Sequence, residues 1–187
     1  MRIVGVDVGI THLGLAELDT GQDGTARQVL SLMLVDVMQY GRVDEGRPTE
    51  LYDRLDDFAC KHDALFARAD VIAIERQPLV GLQCVQLFFL SRWRSKCRLV
   101  SPNSLHKRFL PKGLDYDERK AAMERLAEAT CTACGVDWQK SGARWPRRHD
   151  VADALAISLL HAETMAREQQ AARSNAFGQY FFEEIAS

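Results

Sequence analysis

The sequence predicts one α/β domain: a mixed five-stranded sheet, three antiparallel strands followed by parallel β-α-β units, flanked by helices. Three observations predict it. Apolar, β-branched runs crowd the first 37 residues. The short apolar run from Asp70 to Glu75 follows a helical stretch, which suggests a parallel crossover. Beyond Pro102 the apolar residues recur at helical spacing. A length of 187 residues, 47% hydrophobic and 27% charged, suits a domain that buries its own core. Residues 1–166 are expected to form it, with 167–187 a helical tail.

Arg2 to Val8 (RIVGVDV) and His12 to Leu18 (HLGLAEL) read as a hairpin around Gly9-Ile10-Thr11. Gln28 to Val37 is a third strand, after a turn containing Gly21 and Asp23-Gly24. Thr49 caps a helix in which Leu51, Leu55, Phe58 and Leu65 recur, running to about Ala69. After the strand ending at Glu75, Gly81 to Trp93 reads as a helix, Arg98 to Val100 as a short strand, and Pro102 to Phe109 as a turn and short helix. Asp115 caps a helix from Tyr116 to about Cys134, with Asp117 and Glu118 where the dipole favours acids and Gly135 as its stop. Val136 to Pro146 reads as a loop. The last helix begins near Arg147, turns Val151, Leu155, Ile157, Leu159 and Leu160 to the core, and becomes polar from Arg167.

No apolar run approaches the ~20 residues of a membrane helix, and a strand starting at Arg2 leaves no room for a signal or transit peptide, so a soluble intracellular protein is expected. Five cysteines, an odd number, indicate reduced thiols. Cys131-Thr-Ala-Cys134 has the spacing of half a zinc site, but no second pair completes it.

A net charge of −2 speaks against nucleic acid as a partner, but its distribution does not. From Arg76 to Leu114 the chain carries Arg76, Arg92, Arg94, Lys96, Arg98, Lys107, Arg108 and Lys112 and no acid. Lys140, Arg144, Arg147 and Arg148 follow between Trp138 and His149, again without an acid. One strongly basic face would serve phosphates; a solvated helix face is the plainer alternative.

Three carboxylate positions stand out: Asp7 in an apolar strand, Glu75 ending another, and Asp150 with Asp153 three apart on one helix face. Strand-end acids are often turn formers, and acids near a helix start often serve its dipole. If the first and fourth strands are neighbours and the last helix crosses them, all four acids meet. Crowded hard-oxygen ligands select Mg²⁺, with Mn²⁺ as a substitute. Two such ions can flank a phosphodiester, activating water on one side and stabilising the leaving oxygen on the other.

The segments VDVGITHLG (Val6 to Gly14), IERQ (Ile74 to Gln77) and HDVADALAIS (His149 to Ser158) resemble the RuvC-type Holliday junction resolvases of the RNase H-like superfamily, especially their poxvirus and fungal mitochondrial branch. The resemblance implies an RNase H-like fold, Asp7, Glu75, Asp150 and Asp153 as ligands of two metal ions, a homodimer, and four-way DNA junctions as substrate. It extends to Ser101–Pro111 and Tyr116–Lys120, where the family carries basic residues near the scissile phosphate; Lys120 is the candidate here. Phosphate contacts are assigned to Arg76, Arg92, Arg94, Lys96, Lys107, Arg108, Lys112, Lys140, Arg147 and Arg148.

Bacterial members place an aromatic wedge after the strand-four Glu, where this chain has Pro78 and Leu79. Phe88, Phe89 and Trp93 could open a junction instead, although aromatics at helical spacing are more often core or interface. Helix Gly81 to Leu90, with Leu82, Val85, Leu87, Phe88 and Phe89, exceeds one buried stripe and is the candidate dimer seam. A nuclease of the same fold acting on RNA, flaps or transposon ends would carry the same metal site. Asp7-x-Gly9-x-Thr11-x-x-Gly14 also resembles the first phosphate loop of actin-like ATPases and sugar kinases, which duplicate their fold as this chain does not. A non-catalytic DNA-binding scaffold would leave four acids clustered at a cost.

Overall fold

The computed structural model describes residues 1–41, 49–78 and 82–185, with side chains as far as residue 174. Leu79 of the wedge position and Gly81 at the expected helix start lie outside the described residues. Strands β1 (Arg2–Asp7), β2 (His12–Thr20), β3 (Ala26–Asp36), β4 (Val71–Glu75) and β5 (Cys97–Val100) form one sheet in the order β3-β2-β1-β4-β5. β1 pairs antiparallel with β2 and parallel with β4, and β5 continues the parallel half. The expected neighbours, first and fourth strands, are therefore adjacent.

A short 3-10 turn (Val37–Gln39) and seven α-helices complete the described chain: α1 (Leu51–Lys61), α2 (Asp63–Arg68), α3 (Gln83–Arg92), α4 (Pro102–Phe109), α5 (Tyr116–Ala133), α6 (Trp138–Gly142) and α7 (Arg148–Ile185). Strand alternation sorts them into two layers. Ile3, Ala16, Val71 and Ala73 face a core built with α4 to α7, around Leu105, Met123, Trp138 and Leu155. Val4, Val6, Ile72 and Ile74 face the other core, built with α1 to α3 around Phe58, Phe66 and Phe89.

Two glycines set the distance between α7 and the sheet. A Cβ on Gly5 would lie 2.0 Å from the Ala154 carbonyl oxygen, and one on Gly14 would lie 1.9 Å from that of Asp150. The helix backbone thus rests directly on β1 and β2. Ser158 reinforces the seat, its hydroxyl donating to the Ala16 carbonyl at 3.3 Å.

Several sequence expectations need correction. The helix from Thr49 to Ala69 is two helices broken at His62, and Glu50 rather than Thr49 holds the N-cap, its N–H donating to Asp53 at 3.3 Å. The Val136–Pro146 loop contains α6, capped by Asp137 accepting from the Lys140 N–H at 2.9 Å and anchored by buried Trp138. Five residues are too few for a periodicity to show. The polar stretch from Arg167 is helical and continues α7 as far as residue 185. Asp115 does cap α5, reciprocally with Glu118, and Gly135 follows it at φ +73°.

Helix α3 is mostly core, which removes most of the expected dimer seam. Val85, Phe88 and Phe89 are buried, and Trp93 stacks on Phe66 at 4.3 Å. Its outer side shows Cys84, Leu87, Ser91 and Arg92, with Tyr52 of α1 nearby against Phe88. Phe88 and Phe89 are accordingly packing residues rather than wedges. Among the described residues no helix is long and apolar enough to cross a membrane.

Because the Gly5 and Gly14 contacts are backbone to backbone, neither side can yield cheaply. Gly5→Ala is expected to destabilise the fold by about 2–3 kcal/mol, lowering the melting temperature by roughly 4–12 °C in a thermal melt.

Candidate active site

Alternation places Asp7 on the face that Ile3 and Gly5 occupy, and Glu75 on the face of Val71 and Ala73, so both acids point to the α7 side. Val6 registers with Ile74, so Asp7 and Glu75 leave the sheet side by side at its C-terminal edge. Asp7 pairs with Gly14, and the Asp150 backbone sits on Gly14. The glycine contact therefore delivers the first turn of α7, with Asp150 and Asp153, to the two strand acids.

The four carboxylates act on one another. Burial first, then the charges of Asp153, Glu75 and Asp150, raise the Asp7 carboxyl well above its ordinary pKa, with Arg147 opposing. Burial, Glu75 and Asp150 push Asp153 up to about 7, with Lys120 opposing. Burial also raises Glu75, opposed by a hydrogen bond from the Gln77 amide to Oε2 at 3.1 Å and by the nearby charge of His106.

Asp150, buried, is already engaged. Arg147 donates from Nε to Oδ2 at 2.7 Å and from Nη2 to Oδ1 at 3.2 Å. His149 Nε2 lies 3.0 Å from Oδ1, yet makes no hydrogen bond there. Burial holds that imidazole below its usual pKa against the pull of Asp150. Asp7, Arg147 and Asp150 line an open cleft of about 270 Å³ with Gly9, Ile10 and Leu82.

Sequence reasoning named the four acids, Lys120 and Arg147, and the structure brings all six into one electrostatic group. Lys120 also lies 4.1 Å from the centre of the Tyr116 ring. It missed His106 and Gln77 beside Glu75, and Glu124 near Asp153. Gln77 stood two residues after Glu75, within reach of a strand-end carboxylate; His106 and Glu124 left no local signal, because only the packing of α4 and α5 brings them in.

The remaining basic residues divide. Arg92 pairs with Asp56, Lys96 donates to the Ala67 carbonyl at 2.6 Å, and Arg108 forks onto Glu163 at 2.6 and 2.9 Å. Lys96 precedes β5 and thus stands at the sheet end opposite Glu75. Arg148 lies over Trp138, with Nε and Nη2 buried and unbonded. Arg76, Arg94, Lys107, Lys112 and Lys140 are exposed, with no side-chain partner given by the described residues.

Among the described residues no three His, Cys, Asp or Glu side chains stand gathered as a cage for a metal ion. The donor set still fits a hard dication: four acids, no thiol, and a mutual repulsion that only added positive charge relieves.

The sheet order and the helix layers define an RNase H-like architecture, the one on which junction resolvases are built. Solved structures share it. The fowlpox virus resolvase, in complex with substrate Holliday junction DNA, matches at a TM-score of 0.62 and 16% identity, over 88% of this chain and 99% of that one. Thermus thermophilus RuvC, in complex with a Holliday junction substrate, matches at 0.57 and 20%, over 87% and 94%. The yeast mitochondrial Holliday junction resolvase Ydc2 matches at 0.63 and 14%, over 96% and 86%. At these identities the likeness is one of fold. No family model matches the sequence, and no curated protein matches it either.

The raised carboxyls carry a stability consequence. A carboxyl raised from 3.8 to about 7 favours the folded state while protonated, and that contribution is lost as pH climbs from about 4 through 7. Without divalent cations, Asp153→Asn is therefore expected to be more stable than wild type at pH 8, by about 1–3 kcal/mol, and to gain little at pH 4. Thermal melts at the two pH values check this.

Proposed function

We propose that the protein is a Mg²⁺-dependent, structure-specific endonuclease that resolves four-way DNA junctions by paired symmetric nicks. The observation that carries this reading is the mutual repulsion of Asp7, Glu75, Asp150 and Asp153 at one sheet edge, in a fold shared with solved junction resolvases.

Asp7, Glu75, Asp150 and Asp153 would hold two ions, Mg²⁺ or in its stead Mn²⁺. Bound there, such ions polarise the scissile phosphodiester and activate water for in-line attack. The chain's own residues supply position and charge. Gln77 holds one Glu75 oxygen and so fixes where the other points. Lys120, close enough to Asp153 to act on its pKa, is suited to a non-bridging oxygen of the scissile phosphate.

Phosphates along the arms fall to Arg76, Arg94, Lys107, Lys112, Lys140 and Arg147. Arg92, Lys96, Arg108 and Arg148, committed within the fold, drop out of that role. Contacts of this kind read backbone shape and give a steep salt dependence. The approximate two-fold symmetry of a junction calls for two active sites, so the working unit is a homodimer. Exposed Tyr52 and Leu87, 64% and 56% accessible, offer α1 and α3 as its seam.

The test is incubation with labelled four-way junction, duplex, flap and RNA–DNA hybrid in Mg²⁺, with the nicks mapped. Symmetric nicks in the junction alone are expected; cleavage of hybrid or flap with the junction intact would give the assignment to another RNase H-fold nuclease. Asp7→Asn should lose cutting by at least about 10³-fold while still shifting junction in a gel. Lys120→Ala should slow the single-turnover rate at saturating junction by about 10–10³-fold, and an unchanged rate would remove it from the site.

A further inference from the structure

We propose that Arg147 holds the cation's position on Asp150, and that a divalent cation arriving at the site releases its guanidinium onto a phosphate of bound DNA. The inference rests on the metal-dependent reading and adds to it a positioning residue that couples ion loading to substrate contact.

The geometry is that of a two-point clamp. Nε and Nη2 of Arg147 take one lone pair from each Asp150 oxygen, at 2.7 and 3.2 Å. The two lone pairs that converge on the guanidinium are engaged, so a cation cannot chelate both oxygens from that side while the fork is in place. The partners differ in exposure: the Asp150 side chain is 7% accessible and that of Arg147 49%. The carboxylate is fixed in the wall while the guanidinium has water on its outer side, so the arginine is the partner able to leave. It also stands where leaving is useful, on the open cleft it lines with Asp7 and Asp150.

Neighbouring charges set the direction of the exchange. Arg147 brings one positive charge to a group of four carboxylates, and Lys120 acts chiefly on Asp153. A dication brings two charges to the same oxygens, and an exposed-side arginine pair is weak enough to yield to it. Once displaced, the guanidinium sits beside the acids only until an anion is offered, and the planar fork that fitted a carboxylate fits a phosphate equally well. His149 does not take over: its Nε2 approaches Oδ1 without a hydrogen bond, and burial disfavours its charged form.

The experiment uses full-length protein, Mg²⁺ alone as the probe, calorimetry, and the arginine Nε–H resonance that disappears in Arg147→Met or Arg147→Lys. In wild type that resonance should be protected from exchange without Mg²⁺ and lost on saturation. Arg147→Met should bind Mg²⁺ about three- to tenfold more tightly while binding junction more weakly, a combination that a merely structural arginine would not produce. Arg147→Lys, which keeps the charge but loses the fork, should side with Arg147→Met in Mg²⁺ affinity. A resonance indifferent to Mg²⁺, or a lysine variant with wild-type affinity, would overturn the proposal. Wild type that binds no Mg²⁺ in a manner sensitive to Asp7→Asn would overturn the metal-dependent reading itself.

Discussion

The contact on which the site depends is between backbones. Helix α7 can approach β1 and β2 closely only because residues 5 and 14 have no side chain, and the carbonyls of Ala154 and Asp150 fill that space. A helix held one methyl group farther out would carry Asp150 and Asp153 away from the sheet edge, while Asp7 and Glu75 stayed put. The parallel pairing of β1 with β4 sets one half of the constellation and the glycine seat sets the other. Neither half contains chemistry by itself.

That arrangement opposes stability. Burial and the charges of neighbouring acids raise the Asp7 and Asp153 carboxyls, and burial raises that of Glu75, which is the cost of holding negative charge in a partly dry cluster. The fold offsets this in part with Arg147, Lys120, the Gln77 amide and the nearby His106. Each compensating group is a weak or single-charge partner. A site balanced in this way leaves a strong interaction to be gained by a ligand of higher charge, which is the general reason that strained electrostatics concentrate at functional positions.

Much of this was legible in the sequence because it follows from period and order. Acids set in apolar strands singled out Asp7 and Glu75, an i, i+3 spacing put Asp150 and Asp153 together, and a helix between strands implied the parallel crossover. What escaped has equally definite causes. Helix α6 is shorter than the repeat that would reveal it. The apolar excess of α3 read as an interface because sequence cannot show that Phe66 of α2 packs against Phe89 and Trp93. His106 and Glu124 belong to helices whose docking angle no local pattern encodes.

The basic stretch carries the same lesson in electrostatic form. As a string, Arg76 to Lys112 is uniformly cationic; as a surface it is not. Arg92 ties α3 to α1, Lys96 caps the carbonyl end of α2, and Arg108 pins α4 to a carboxylate on α7 that lies 13 residues, about 20 Å, beyond Asp150. These three spend their charge on joining elements. Arg147, among the described residues the one cation forked onto a site carboxylate, is bonded to an acid three residues away and could pass for another such joint. What separates it is that its partner belongs to the repelling group. A cation that neutralises a distant surface acid stabilises the fold alone, whereas one that neutralises a clustered acid must also compete with whatever the cluster binds.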